Sequence, residues 1–342
     1  MKRSEQVREP GGDTAPAGHK LLIGAATYIA LLVVLWLVAR FFHLQALEEY
    51  PLSTFLGFAT LFAPYWLFGF GLAAFLRPVL TGTAERVAVA ASLAIPYFVL
   101  TLPRRTFHWE YALVLIAIPL LVTLVLHTWP RPANWADLAV LATIGLAIDL
   151  GLLSRGRLFG LPDSALWPGG LGGFPKMIMA NVALYGYLVI KPIDGVGYHL
   201  APRFDDWKIG LREFLYYAPI VLTLGILLGF IHWQGLLAKP QQFPAAWIFT
   251  FIFVALPEEL FFRGLVQNLL ERHMTRGRAL LLASVLFGLS HFNKGAGFNW
   301  RYVILATIAG IFYGRAWRTQ RRLFASSITH TTVDAVWSIW WR

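Results

Sequence analysis

The chain contains no cysteine in 342 residues, only four methionines, and little charge, with Asp, Glu, Lys and Arg making up 14% of it. Without thiols it can form no disulfide, hold no Cys-ligated zinc and use no thiolate nucleophile. The shortage of charge excludes more. A soluble domain carries about 25% charged residues, so a chain that is 57% hydrophobic cannot cover a compact globule with a solvated surface. The same composition excludes a disordered chain. The fold class that remains is an all-α polytopic membrane protein.

Acidic residues are the scarcer kind, 18 against 29 basic ones, which leaves a net charge of +11. The basic residues sit between apolar runs, where they face an anionic leaflet, so the excess reads as membrane topology and no nucleic-acid partner is expected. Residues 1–20, with Lys2, Arg3, Arg8 and Lys20 among Gly, Pro and Glu, read as a disordered basic tail. The apolar run after Lys20 is longer than a signal-peptide core and no small-x-small site follows it.

Apolar runs fall near 21–39, 52–76, 87–102, 111–128, 137–153, 177–190, 214–233, 244–262, 279–292, 302–314 and 323–341. At 1.5 Å per residue these give about eleven candidate transmembrane helices for a ~30 Å core. With the N-terminus inside, roughly two thirds of the 29 Lys and Arg lie in the inner segments. The polar stretch Lys191 to Arg212 marks a boundary. Residues 21–205 hold N-terminal spans with no role that the sequence assigns, and residues 206–342 hold almost all the residues capable of chemistry. Gly225-x-x-x-Gly229 and Ala306-x-x-x-Gly310-x-x-x-Gly314 are spaced for close helix approach.

Ionisable residues inside a membrane cost at least ~2.5 kcal/mol each, so each is a functional candidate by default. Three clusters stand out. In Pro257-Glu258-Glu259-Leu260-Phe261-Phe262-Arg263, Glu259 and Arg263 share a helical face and pair in the favourable order, while Glu258 points about 100° away. Glu258 is therefore expected to stand without a counter-ion, and such a carboxylate is the stronger base. Phe287 and His291, and likewise His330 and Asp334, are also four apart and share faces. Taking the polar turn near residue 275 as a hairpin bend, Glu258 and His291 come to the same depth, ~25 Å from the bend. A carboxylate and an imidazole at one depth can make a general-base site.

Glu-Glu-x-x-x-Arg at 258–263, Phe-x-x-x-His at 287–291 and His-x-x-x-Asp at 330–334, in this order on successive hydrophobic helices, resemble the three motifs of the CAAX protease and bacteriocin-processing family, also called the Abi family. The likeness covers roughly residues 210–342. It implies an intramembrane glutamic endopeptidase in the plasma membrane of a bacterium or archaeon, acting on a membrane-anchored or hydrophobic peptide substrate. It implies Glu258 as base, with Glu259 held by Arg263, His291 assisting, and His330 with Asp334 stabilising the oxyanion. Asp334 stands where the family admits Asn or Asp. An ionised Asp there would repel an oxyanion, so it is either protonated or only orients His330.

No cofactor is expected, since one carboxylate and two imidazoles can activate water unaided. There is no His-Glu-x-x-His, no Gly-x-Ser-x-Gly around Ser290 and no Gly-x-Gly-Asp. Two alternatives stay open. Glu258, His291, His330 and Asp334 could ligate zinc, or the buried charges could line a transporter pathway or scaffold. The second fits poorly with ionisable residues crowded into one half, because a transporter expects paired interruptions in both.

Overall fold

Gly71 and Gly82 stand at helix starts, whereas Pro64, Pro119 and Pro219 are carried inside helices. The computed structural model describes residues 17–41, 49–129, 135–149, 173–235, 239–294 and 298–341; among these there are helices and turns and no β-strand. Most of the basic tail lies outside the described residues. The N-terminal half holds α1 (Ala17–Phe41), α2 (Pro51–Phe68), α3 (Leu72–Val79), α4 (Thr83–Thr101), α5 (Trp109–Thr128), α6 (Trp135–Asp149) and α7 (Gly173–Tyr185, prolonged by a π-helical turn Gly186–Ile190). The C-terminal half holds α8 (Phe204–Leu227), α9 (Pro240–Leu270), α10 (Arg276–Leu289), α11 (Trp300–Gln320) and α12 (Leu323–Trp340).

The protein is an integral, multi-pass membrane protein, but eleven full spans are not confirmed. Six described helices are long and apolar enough to cross a bilayer, namely α1, α2, α4, α5, α8 and α9, while α6 and α7 are shorter apolar helices. The run 52–76 breaks at Gly71, whose φ of 96° ends α2 and starts α3. In the last three helices polar residues dilute the hydropathy, among them Arg315 and Arg318 on α11 and Ser326, Ser327 and His330 on α12.

α9 is the seam between the halves. On one side Tyr65 of α2 donates to the Ile252 carbonyl at 3.1 Å, Phe62 packs edge-on against Phe253, and Gly145 of α6 admits the Phe261 ring. On the other side α10, α11 and α12 complete a bundle with α8. The helix is not uniformly wound. Pro257 has no N–H and its ring would strike the carbonyl four residues earlier, and π-helical stretches at Phe251–Ala255 and Leu260–Gln267 flank its turn.

α10 and α11 pack closely across Gly288, Gly310 and Gly314, where an added Cβ would fall within 3.0 Å of Thr307, Ser284 and Leu280 respectively. The small-residue spacing on α11 thus serves packing within the chain. Gly225 and Gly229 do otherwise. Gly225 lies under Ile231 of the following loop, and Gly229, at φ 59°, leaves α8 in the left-handed conformation. The same spacing there closes a helix end.

The two ends of this bundle differ in chemistry. At one end Arg322 grips Asp206 through two hydrogen bonds of 2.7 and 2.8 Å, Arg321 and Arg318 pair with Glu271, and Arg212 and Arg315 pair with Glu213. The loop joining the halves is fastened here. Gly197, at φ 75°, packs so tightly on the Arg321 carbonyl that no side chain could replace its hydrogen, and its own carbonyl accepts from Leu323 N–H at 3.0 Å. The opposite end is aromatic, with Phe230 against Trp337 and Tyr302, and Trp233 against Trp341.

Candidate active site

Glu258 and Glu259 occupy the short α-helical turn Leu256–Glu259 between the two π-helical stretches of α9. Neighbours on a helix diverge by about 100°, so the two carboxylates meet different partners. Glu259, with 0% of its surface exposed, accepts hydrogen bonds from Arg263 Nε at 3.1 Å, from Ser326 Oγ, and from His330 Nδ1 at 2.9 Å. Arg263 is equally buried. Its two terminal nitrogens have no hydrogen-bond partner, and the guanidinium lies over the rings of Phe287 and Tyr313, 5.1 and 5.9 Å from their centres. Cation–π attraction to these faces offsets part of the missing solvation.

Glu258 is not unpaired. Lys176, in the first turn of α7, donates from Nζ to its Oε1. This corrects the expectation of a free carboxylate. Lys176 stands immediately before the run counted from 177, where a lysine reads as an interfacial flank, and only the packing of α7 against α9 brings it to Glu258. The other oxygen, Oε2, lies 3.8 Å from His330 Nε2.

His330 occupies the middle of α12. Its Nδ1 is held by Glu259, and its Nε2 is 3.4 Å from Asp334 Oδ2 as well as 3.8 Å from Glu258 Oε2. The ring stacks on Tyr313 at 4.5 Å and meets Phe287 edge-on at 5.6 Å. Sequence spacing pairs His330 with Asp334 and misses that both glutamates reach the same imidazole. It also misses Ser326 and Tyr313. Ser326 had a usable signal, since it stands four residues before His330 on one face.

His291 follows the C-terminal end of α10. Its Nδ1 lies 2.8 Å from the Phe287 carbonyl and 3.2 Å from Ser290 Oγ. Donation from Nδ1 to that carbonyl leaves Nε2 as the lone-pair nitrogen. The ring is wedged between Phe287 and Tyr302, at 4.8 and 4.7 Å. It lies within electrostatic reach of Glu258, although among the described residues no hydrogen bond joins the two.

A cavity of about 140 Å³ opens between α8, α11 and α12, and its wall includes Tyr217, Tyr302, Trp337, His291, His330 and Asp334. Glu258, Glu259 and Arg263 are not on that wall. The cavity extends from His330 towards Phe230 and Trp341, hence towards the aromatic end of the bundle. Among the described residues no three His, Asp or Glu side chains are grouped so that they could hold a metal ion.

All six candidate residues fall within one stretch of recognisable sequence. Residues 240–336 match the family model described as type II CAAX prenyl endopeptidase Rce1-like. That family is one of proteases. The match begins at the first residue of α9 and ends just past Asp334, so it takes in α9 to α12 and leaves out α1 to α8, Lys176 among them. No curated protein and no solved structure matches the chain.

Proposed function

We propose that the protein is an intramembrane endopeptidase that hydrolyses a peptide bond of a membrane-associated or C-terminal-tail substrate with a water activated by Glu258. The observation that carries this reading is the meeting of Glu258 Oε2 and Asp334 Oδ2 at His330 Nε2, at 3.8 and 3.4 Å, beside an apolar cavity within the Rce1-like stretch. Water bound between Glu258 and His330 gives a proton to Glu258 and attacks the scissile carbonyl carbon. His330 Nε2–H donates to the oxygen that becomes negative, and Asp334 holds that ring in orientation. Glu258 then returns the proton to the departing amine, with His291 assisting. The aromatic walls favour a substrate with an apolar chain, and the name of the matched family points to prenylated tails as the first to try.

The mechanism needs no metal. Purified protein is expected to cleave a membrane-anchored peptide at an undiminished rate after exhaustive chelation. Loss of activity that zinc restores, with zinc bound stoichiometrically, would replace this mechanism by the metal-dependent one.

We also propose that the basic end of the bundle faces the cytoplasm with the N-terminus, following the positive-inside rule, so that the cavity opens towards the outer face. The absence of cysteine makes this directly testable. Lys239→Cys, on the aromatic side, is expected to react with a membrane-impermeant maleimide in intact cells, and Gly277→Cys, in the basic turn region, only after permeabilisation. The reverse pattern would invert the topology.

A further inference from the structure

Lys176 lies outside the stretch that matches the protease family, yet it pairs with Glu258 and donates a hydrogen bond to its Oε1. The helix that carries it is firmly held. α7 is buried along most of its length, from Met177 to Ile190, and is tied to its neighbours by Asn181 donating to the Leu61 carbonyl at 2.8 Å and Tyr185 donating to the Arg86 carbonyl at 2.9 Å. At the far end of the helix, Lys191 pairs with Asp137 at 2.9 Å, both buried. An ammonium delivered by so rigid a support occupies a fixed position. Its target is equally fixed, because Glu258 follows Pro257 in the constrained turn of α9.

The two oxygens of Glu258 therefore have separate surroundings. Oε1 is occupied by the Lys176 ammonium, and Oε2 faces His330. A carboxylate held at one oxygen cannot rotate freely about its last bond, so its free lone pairs stay directed at the place where a water would bind. Lys294 also acts on Glu258 electrostatically, but it is exposed on the loop after α10 and makes no hydrogen bond to it. Neutralisation alone could come from Lys294. Lys176, unlike Lys294, holds Oε1 through a hydrogen bond and so can also orient the carboxylate.

We infer that Lys176 is a positioning residue for Glu258, holding one carboxylate oxygen so that the other is aimed at the nucleophilic water, and that the active site is consequently incomplete without the N-terminal half. This rests on Glu258 being the base. A misdirection of about 1 Å in a reacting group costs roughly 10²-fold in rate, and that is the size of effect expected here, in kcat with KM little changed.

The test uses the full chain with Lys176→Met, Lys176→Arg and Lys176→Cys, each purified and measured for kcat, KM and thermal stability. Lys176→Met is expected to lose roughly 10²-fold in kcat, and Lys176→Arg, which keeps a cationic donor, to recover most of it. Lys176→Cys is the sole thiol in the chain, so 2-bromoethylamine rebuilds an ammonium of lysine length on protein that has already folded. That treatment is expected to restore kcat, whereas iodoacetamide, which leaves a neutral amide, is not. A Lys176→Met variant with wild-type kcat would overturn the inference, as would a loss that neither arginine nor aminoethylation repairs. The failure of the underlying reading looks different, since Glu258→Gln would then remain active.

Discussion

Glu258→Gln is expected to abolish hydrolysis while leaving the fold in place. The amide has the size of the carboxylate and its oxygen can still accept from Lys176, but it cannot take a proton from water. Removing a general base costs typically 10²- to 10⁴-fold, so the variant should fall to the upper part of that range or below detection. Its stability should change little. The Lys176 side chain is 22% exposed, so once deprived of an anionic partner the ammonium can be partly hydrated. Initial rates on a membrane-anchored peptide and the unfolding temperature of the same preparation decide the matter, and retained cleavage would remove Glu258 from the mechanism.

Glu259→Gln is expected to fail for the opposite reason, through loss of stability. Its carboxylate accepts from Arg263, Ser326 and His330 at once, with no solvent exposure. A glutamine must turn an NH₂ group towards at least one of these donors. Arg263 is then a fully buried cation whose terminal nitrogens have no hydrogen-bond partner, and stranding one member of a buried pair costs about 3–5 kcal/mol. The unfolding temperature should drop on the order of 10 °C, at about 2–4 °C per kcal/mol for chains of 150–250 residues. Replacing both partners by Glu259→Leu with Arg263→Met should restore much of the stability, because no unpaired charge remains, but not the activity, because His330 loses the group that orients its Nδ1. A Glu259→Gln variant as stable as wild type would show that this carboxylate contributes nothing through its charge.

Local relations at the site were legible in the sequence and long-range ones were not. A spacing of four residues correctly joined Glu259 to Arg263 and His330 to Asp334, because helical geometry alone fixes which side chains share a face. The bonds of Glu259 to His330 and of Glu258 to Lys176 span 71 and 82 positions. They depend on how helices pack, which no periodicity reports. The count of eleven spans is not confirmed, since six of the described helices are long and apolar enough to cross a bilayer and other apolar runs form shorter helices. The glycine motifs make the same point at Gly225 and Gly310, where identical spacing closes a helix end in one case and admits a neighbouring helix in the other.

The π-helical turns of α9 carry a consequence for how its two flanks are specified. A π turn holds one residue more than an α turn, so at 3.6 residues per turn each extra residue shifts everything beyond it by about 100° around the axis. The stretch Phe251–Ala255, which itself carries the contacts of Ile252 and Phe253 with α2, lies between the flank Phe243–Thr250 and the turn bearing Glu258 and Glu259. One continuous helix therefore runs in two angular phases. Residues of the flank Phe243–Thr250 follow a different stripe from those of the acidic turn, and a single helical wheel drawn through both would assign inward-facing residues of one to the outward side of the other.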